Sequence, residues 1–76
     1  MQSNEVNALE VYNYYYIELA DGGYVYKGRT RVADIDLARK FATKVQAVGY
    51  GRKYYKDNEF TVMGGGGLKE ILPYEY

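Results

Sequence analysis

Seven residues are the best equipped in this chain to recognise a ligand: the tyrosines Tyr14, Tyr16 and Tyr26, and the cations Arg29, Arg31, Arg52 and Lys53. Guanidinium groups fork onto phosphate oxygens and phenol rings offer flat faces to a base, so the set suits an anionic ligand of nucleotide type. The competing assignment is that these cations are solvated and paired with acidic segments. The total of ten basic and ten acidic residues gives a net charge of zero, but the charges are segregated. Residues 1–26 carry Glu5, Glu10, Glu18 and Asp21 with no base, a net of −4. Residues 27–56 carry nine bases against Asp34 and Asp36, a net of +7, and residues 57–76 return to −3. A neutral total therefore does not exclude an anionic ligand.

Other chemistry is excluded by composition. The chain has no histidine and no cysteine, which removes thiol nucleophiles, imidazole bases and the common zinc sites together. Glu10, Glu18, Asp21, Asp57 and Glu59 are the candidate catalytic carboxylates, but no pair is specified, and Asp21 and Asp57 have turn roles that account for them. The expectation is a binding protein with no catalytic residue, no metal and no cofactor. The run Gly64-Gly65-Gly66-Gly67 resembles an anion nest only superficially, since it lacks the Gly-Lys-Ser/Thr ending of a nucleotide loop. It reads better as a flexible hairpin connection, whose functional form would be a flap closing over a ligand. Zero net charge disfavours duplex DNA. Single-strand binding by tyrosine stacking stays open, although no aromatic RNP-type segment is present.

These residues need a scaffold. Residues 1–8 lack periodicity and read as a flexible N-terminal arm, leaving 9–76 as a single domain. From Leu9, odd positions run Leu9, Val11, Asn13, Tyr15, Ile17, Leu19 and even positions Glu10, Tyr12, Tyr14, Tyr16, Glu18. That alternation predicts a strand with an aliphatic face and a tyrosine face. Asp21-Gly22-Gly23 then signals a hairpin turn into Tyr24–Arg29. A two-residue turn would put Tyr24 and Tyr26 on the aliphatic face, and a three-residue loop would put them beside Tyr16 and Glu18.

Asp34 is placed to cap a helix, and apolar residues at 35, 38, 41, 42, 45 and 48 predict an amphipathic helix from Ile35 through Val48, anchored by Phe41 and closed by Gly49. Lys53–Lys56, Asp57-Asn58 and Glu59–Met63 predict a second hairpin, whose first arm is alternatively a loop, and Leu68–Leu72 predicts a short last strand ended by Pro73. The order β-β-α-β-(β)-β makes an α+β domain, a small antiparallel sheet of four to five strands with one amphipathic helix packed across it.

Size adds a constraint. A chain of 76 residues buries only about 60% of its unfolded surface, and Val, Ile, Leu and Phe together number 17 against 11 tyrosines. Tyrosine must share the packing, which suits half-buried sheet faces and interfaces. A homo-oligomer is therefore expected. No stretch approaches the roughly 20 apolar residues of a membrane span, and the start Met1–Glu5 has no basic or apolar leader, so the expected location is the cytoplasm.

Tyr14-Tyr15-Tyr16-Ile17-Glu18-Leu19, Asp21-Gly22-Gly23-Tyr24-Val25-Tyr26-Lys27-Gly28 and Ile35-Asp36-Leu37-Ala38-Arg39-Lys40-Phe41 together resemble small Tyr/Gly-rich accessory proteins of phages and prophages, over roughly residues 12–48. That resemblance implies an anti-defence role in a host cytoplasm. One form is an oligomeric sponge that sequesters a nucleotide immune signal. The alternative is an anti-CRISPR-like inhibitor that occludes a host defence protein, using tyrosine as an interface residue.

Overall fold

The computed structural model describes residues 8–73, which form four strands and one helix. β1 is Ala8–Leu19, β2 is Tyr24–Lys27, β3 is Thr30–Val32, α1 is Lys44–Tyr54 and β4 is Phe60–Pro73. The strands make one antiparallel sheet in the order β3-β2-β1-β4, with α1 packed on one face. This is the expected α+β class, reached by a different element order: a third short strand precedes the helix, and one long strand follows it. The expected N-terminal arm lies outside the described residues except for Ala8, which opens β1. Among the described residues no helix is long and apolar enough to cross a membrane.

The alternation in β1 produces the core directly. Tyr15, Ile17 and Leu19 are buried on the helix side, joined by Val25 from β2, with Phe41, Ala47 and Tyr55 closing over them. The β1–β2 turn takes the longer of the two forms. Glu18 pairs with Tyr24, and the Leu19 amide donates to the Gly23 carbonyl at 3.0 Å, leaving Ala20, Asp21 and Gly22 as the loop. Tyr24 thereby lies beside Tyr16, ring centroids 5.8 Å apart, and Val25 points into the core.

The helix does not occupy 35–48. Asp34 does act as a cap, its carboxylate accepting from the Asp36 amide at 2.9 Å, but only for a 3-10 turn at Ile35–Leu37. The chain then extends to fill the edge of β1 that the short β2 leaves bare: Phe41 and Tyr15 exchange backbone hydrogen bonds of 2.8 Å, and the Arg39 amide donates to the Val25 carbonyl. Pairing a strand edge outweighs the local helical propensity of residues 38–43. The helix begins at Lys44, where the Thr43 hydroxyl accepts from the Gln46 amide at 3.2 Å. Gly49, expected as the C-terminal cap, is in its middle, and Lys53-Tyr54, expected in a strand, are its last two residues. The stripe facing the sheet is Ala47 and Gly51, small enough for close approach. A Cβ at Gly51 would stand 2.4 Å from the Phe60 ring.

Gly64 to Gly67, expected as a flexible connection, lie inside β4. Their bareness makes room for aromatic rings. The Tyr12 ring covers Gly64 and the Tyr14 ring covers Gly65 and Gly66. Register shifts between Val11 and Tyr14 mark a bulge, at which Gly66 and Gly67 adopt φ of 74° and 83° and Asn13 Nδ2 donates to their carbonyls. The bulge turns Tyr12 to the helix side, edge-on to Tyr15 at 6.3 Å, so the even-position tyrosine face is interrupted.

Candidate functional site

The turn between β2 and β3 and the C-terminal end of α1, 23 residues apart in sequence, meet at Arg29 and Arg52. Gly28 makes the turn with φ of 56°, and its amide donates to the Tyr50 hydroxyl at 2.7 Å, holding the turn against the helix. Arg29 follows. Its Nη1 donates to the Tyr54 carbonyl, one of the helix's last acceptors, and its guanidinium stacks over the Tyr55 ring at 4.7 Å. Arg52 and Lys53 occupy the last helical turn, where cations complement the dipole. The result is a groove of about 380 Å³ lined by Arg29, Arg52, Lys53, Tyr54, Tyr55, Lys56 and Glu59. Four cations face one carboxylate.

The pairing of these cations decides which are available. Arg52 Nε donates to Asp57 Oδ1 at 3.1 Å, and Arg31 Nη1 donates to Asp21 Oδ1 at 2.6 Å and to the Gly22 carbonyl at 2.9 Å. The hydrogen bond from Arg31 holds the Asp21 carboxyl below its ordinary range, and the same bond raises the guanidinium. Among the described residues Arg29, Lys53 and Lys56 have no carboxylate partner. Glu59 accepts from the Lys56 amide at 2.9 Å, closing a 3-10 turn at Asp57–Glu59. Beside the groove, and sharing Arg29, Tyr55 and Glu59 with it, lies a chamber of about 170 Å³ whose other walls are Leu19, Ala20, Asp21, Arg31 and Asn58.

The seven residues named from sequence therefore divide into two groups. Arg29, Arg52 and Lys53 share the groove, and Arg31 lines the adjoining chamber. Tyr14 and Tyr16 lie on the sheet face opposite the helix, in a ladder with Tyr24: centroids are 6.4 Å apart for Tyr14 and Tyr16, and Lys40 Nζ sits 5.3 Å over the Tyr14 ring. Burial, followed by the charges of its neighbours, raises the Tyr16 phenol. Tyr26 is half exposed on β2 and joins no ring pair among the described residues. The aromatic partners of the cations are instead Tyr54 and Tyr55, with Lys56 and Asn58 as additional polar walls. Their signal was legible as a basic, aromatic run, Arg52-Lys53-Tyr54-Tyr55-Lys56, that ends a helix rather than opening a strand.

Among the described residues no three potential metal ligands cluster together. What the site can offer is cationic hydrogen-bond donors beside Tyr54 and Tyr55, with a polar pocket adjoining it. No family model matches the chain, and neither a curated protein nor a solved structure matches it, so the reading of this site rests on its own residues.

Proposed function

We propose that this chain is a non-enzymatic binding protein that sequesters an anionic, nucleotide-type ligand in the groove between the β2–β3 turn and the end of α1. The observation that supports it is that Arg29, Arg52, Lys53 and Lys56 line one groove with Tyr54 and Tyr55, Arg29 over the Tyr55 ring and Lys53 over the Tyr54 ring, with three of the four cations free of carboxylates among the described residues. Cations gathered this way repel one another, and an anion relieves that repulsion while gaining forked hydrogen bonds. The resemblance to phage accessory proteins suggests a setting, the withholding of a nucleotide immune signal from its receptor.

Thermal melting with a panel of mono-, di- and cyclic nucleotides tests the reading. A ligand at 100 times its dissociation constant should stabilise the fold by about 2.7 kcal/mol. Arg29→Ala should abolish the shift caused by any active ligand. A flat response of the wild-type protein across the panel contradicts the proposal.

A second reading concerns association with another copy. β4 is 14 residues long and among the described residues pairs with β1 alone, so among them its outer edge is an unpaired row of backbone donors and acceptors. Leu9, Leu68, Ile71 and Leu72 are exposed along the same β1–β4 arm. Light scattering after gel filtration should give the mass of a dimer or larger. A monomer persisting at high micromolar concentration contradicts this reading and leaves the groove unaffected.

A further inference from the structure

Arg29 is central to the groove, yet the turn that carries it is weakly held by its own strands. β2 and β3 are four and three residues long, and their hairpin forms one edge of the sheet. Their pairing is further broken by a register shift between Val25 and Lys27. So short a ladder fixes its turn poorly. Lys27 pairs with Thr30, which leaves Gly28 and Arg29 as the whole loop. The amide of the first loop residue takes no part in such a ladder, so it needs a partner from elsewhere.

That partner comes from the helix. The Tyr50 hydroxyl accepts from the Gly28 amide at 2.7 Å. The Tyr50 ring is itself fixed by its neighbours: the Phe41 centroid is 5.3 Å away, the Tyr54 centroid is 5.1 Å away, and the Arg39 guanidinium sits 4.8 Å over the ring. Phe41 is buried and exchanges backbone hydrogen bonds with Tyr15 in β1. The hydroxyl is therefore a point tied to the core, and the turn is pinned to it.

Arg29 is the next residue along the chain. Its Nη1 donates to the Tyr54 carbonyl and its guanidinium covers the Tyr55 ring, which leaves further N–H groups of the fork for a ligand. Ordering so long a side chain costs less when its backbone is already in place, and a group ordered before the ligand arrives loses less freedom on binding. Resting on the groove reading above, we infer that Tyr50 is a positioning residue of the anion site: its hydroxyl pins the Gly28 amide and thereby sets Arg29 over the groove. Tyr50 does not line the groove, so it acts through Arg29.

Calorimetric titration of the full chain with inorganic pyrophosphate and adenosine diphosphate tests this role. Tyr50→Phe keeps the ring and removes the hydroxyl, and it should weaken both ligands about two- to tenfold, the loss expected of one hydrogen bond. A merely structural role would lower the melting temperature and leave the affinity of the folded protein unchanged. Coupling gives a second readout. In an Arg29→Lys background, which keeps the charge and loses the planar fork, Tyr50→Phe should have no further effect, whereas in a Lys53→Ala background its full loss should persist. Unchanged affinity in folded Tyr50→Phe overturns the inference, and so does an equal loss in the two backgrounds; in both cases binding by the wild-type protein still supports the groove. Amide exchange needs no variant: the wild-type Gly28 amide should be protected, and exchange at the free-chain rate overturns the pin. Failure of the wild-type protein to bind either ligand overturns the groove reading, and the inference with it.

Discussion

Ile17→Ala is expected to destabilise the protein by about 2–5 kcal/mol, the range for truncating a fully buried aliphatic side chain. Ile17 is 0% exposed and, with Val25, is one of the two largest fully buried side chains among the described residues. It stands near the C-terminal end of β1, between Tyr15 and Leu19, in the core cluster that Ala47 of the helix stripe joins. The small residues of that stripe cannot swell into the space a truncation leaves, so the cavity term adds to the lost transfer energy. Native domains hold roughly 0.05–0.15 kcal/mol per residue, so a chain of 76 residues has little reserve against such a loss. Urea unfolding should show a large fall in midpoint with an unchanged slope. Val45→Ala is the matched control: Val45 is 81% exposed, and its truncation should change stability by less than about 0.5 kcal/mol. Similar losses from the two variants would contradict this placement of the core.

Gly64→Val is expected to cost about 1–3 kcal/mol or more by overpacking, although valine has by far the better strand propensity. A Cβ at position 64 would lie 2.3 Å from Tyr12 Cδ2 and 2.4 Å from Tyr12 Cγ. The second contact matters most, because Cγ does not move when the ring flips about its own axis. Tyr12 is also held edge-on against Tyr15, and its hydroxyl donates to the Glu10 carboxylate at 3.0 Å. Displacing it disturbs both the core rim and the β1–β4 pairing. Gly49→Ala gives the opposite sign. It lies mid-helix with nothing within 4 Å of the added carbon, so alanine should stabilise by about 0.5–1 kcal/mol. Paired melting curves of the two variants check both expectations. A neutral Gly64→Val would mean that the glycine run does not carry the tyrosine rings.

These contrasts explain which features were legible in the sequence. Period-two alternation marked β1 and its buried face, because Leu9, Val11, Ile17 and Leu19 alternate with Glu10 and Glu18, and Tyr15 shares the parity of the aliphatics. Helix placement failed because the real helix buries alanine and glycine, which carry almost no hydrophobic signal. Val45, counted toward the apolar face of the expected helix, is exposed. Phe41 was rightly read as a core anchor, yet it reaches the core from an extended segment tied to Tyr15. The glycine run misled for a related reason. Composition alone does not separate a loose connection from a strand stripped of side chains to seat neighbouring rings.

The same displacement governs the site. With a helix ending near residue 48, Arg52 would precede a strand or loop beginning at Lys53, and the two would lie near Arg29 only if the chain re-entered the sheet close to where it left. Shifting the helix to Lys44–Tyr54 places them in its last turn, where the Tyr54 carbonyl receives Arg29. The basic character of residues 27–56 was evident from charge alone, and so was the choice of Arg29, Arg52 and Lys53. Tyr55 stands in the same basic, aromatic run, but its place beside Arg29 comes only from the meeting of two chain segments distant in sequence. Tyr14 and Tyr16 go to the opposite face by the same period-two rule that buries Tyr15.

Direct titration of the wild-type protein and Arg29→Ala with a panel of nucleoside mono- and diphosphates, repeated at low and moderate salt, tests the central claim most closely. Saturable binding that weakens with salt, and that falls at least about tenfold in an Arg29→Ala variant with a normal melting profile, is the predicted result. Absence of saturable binding, or equal affinity in the two proteins, would contradict it.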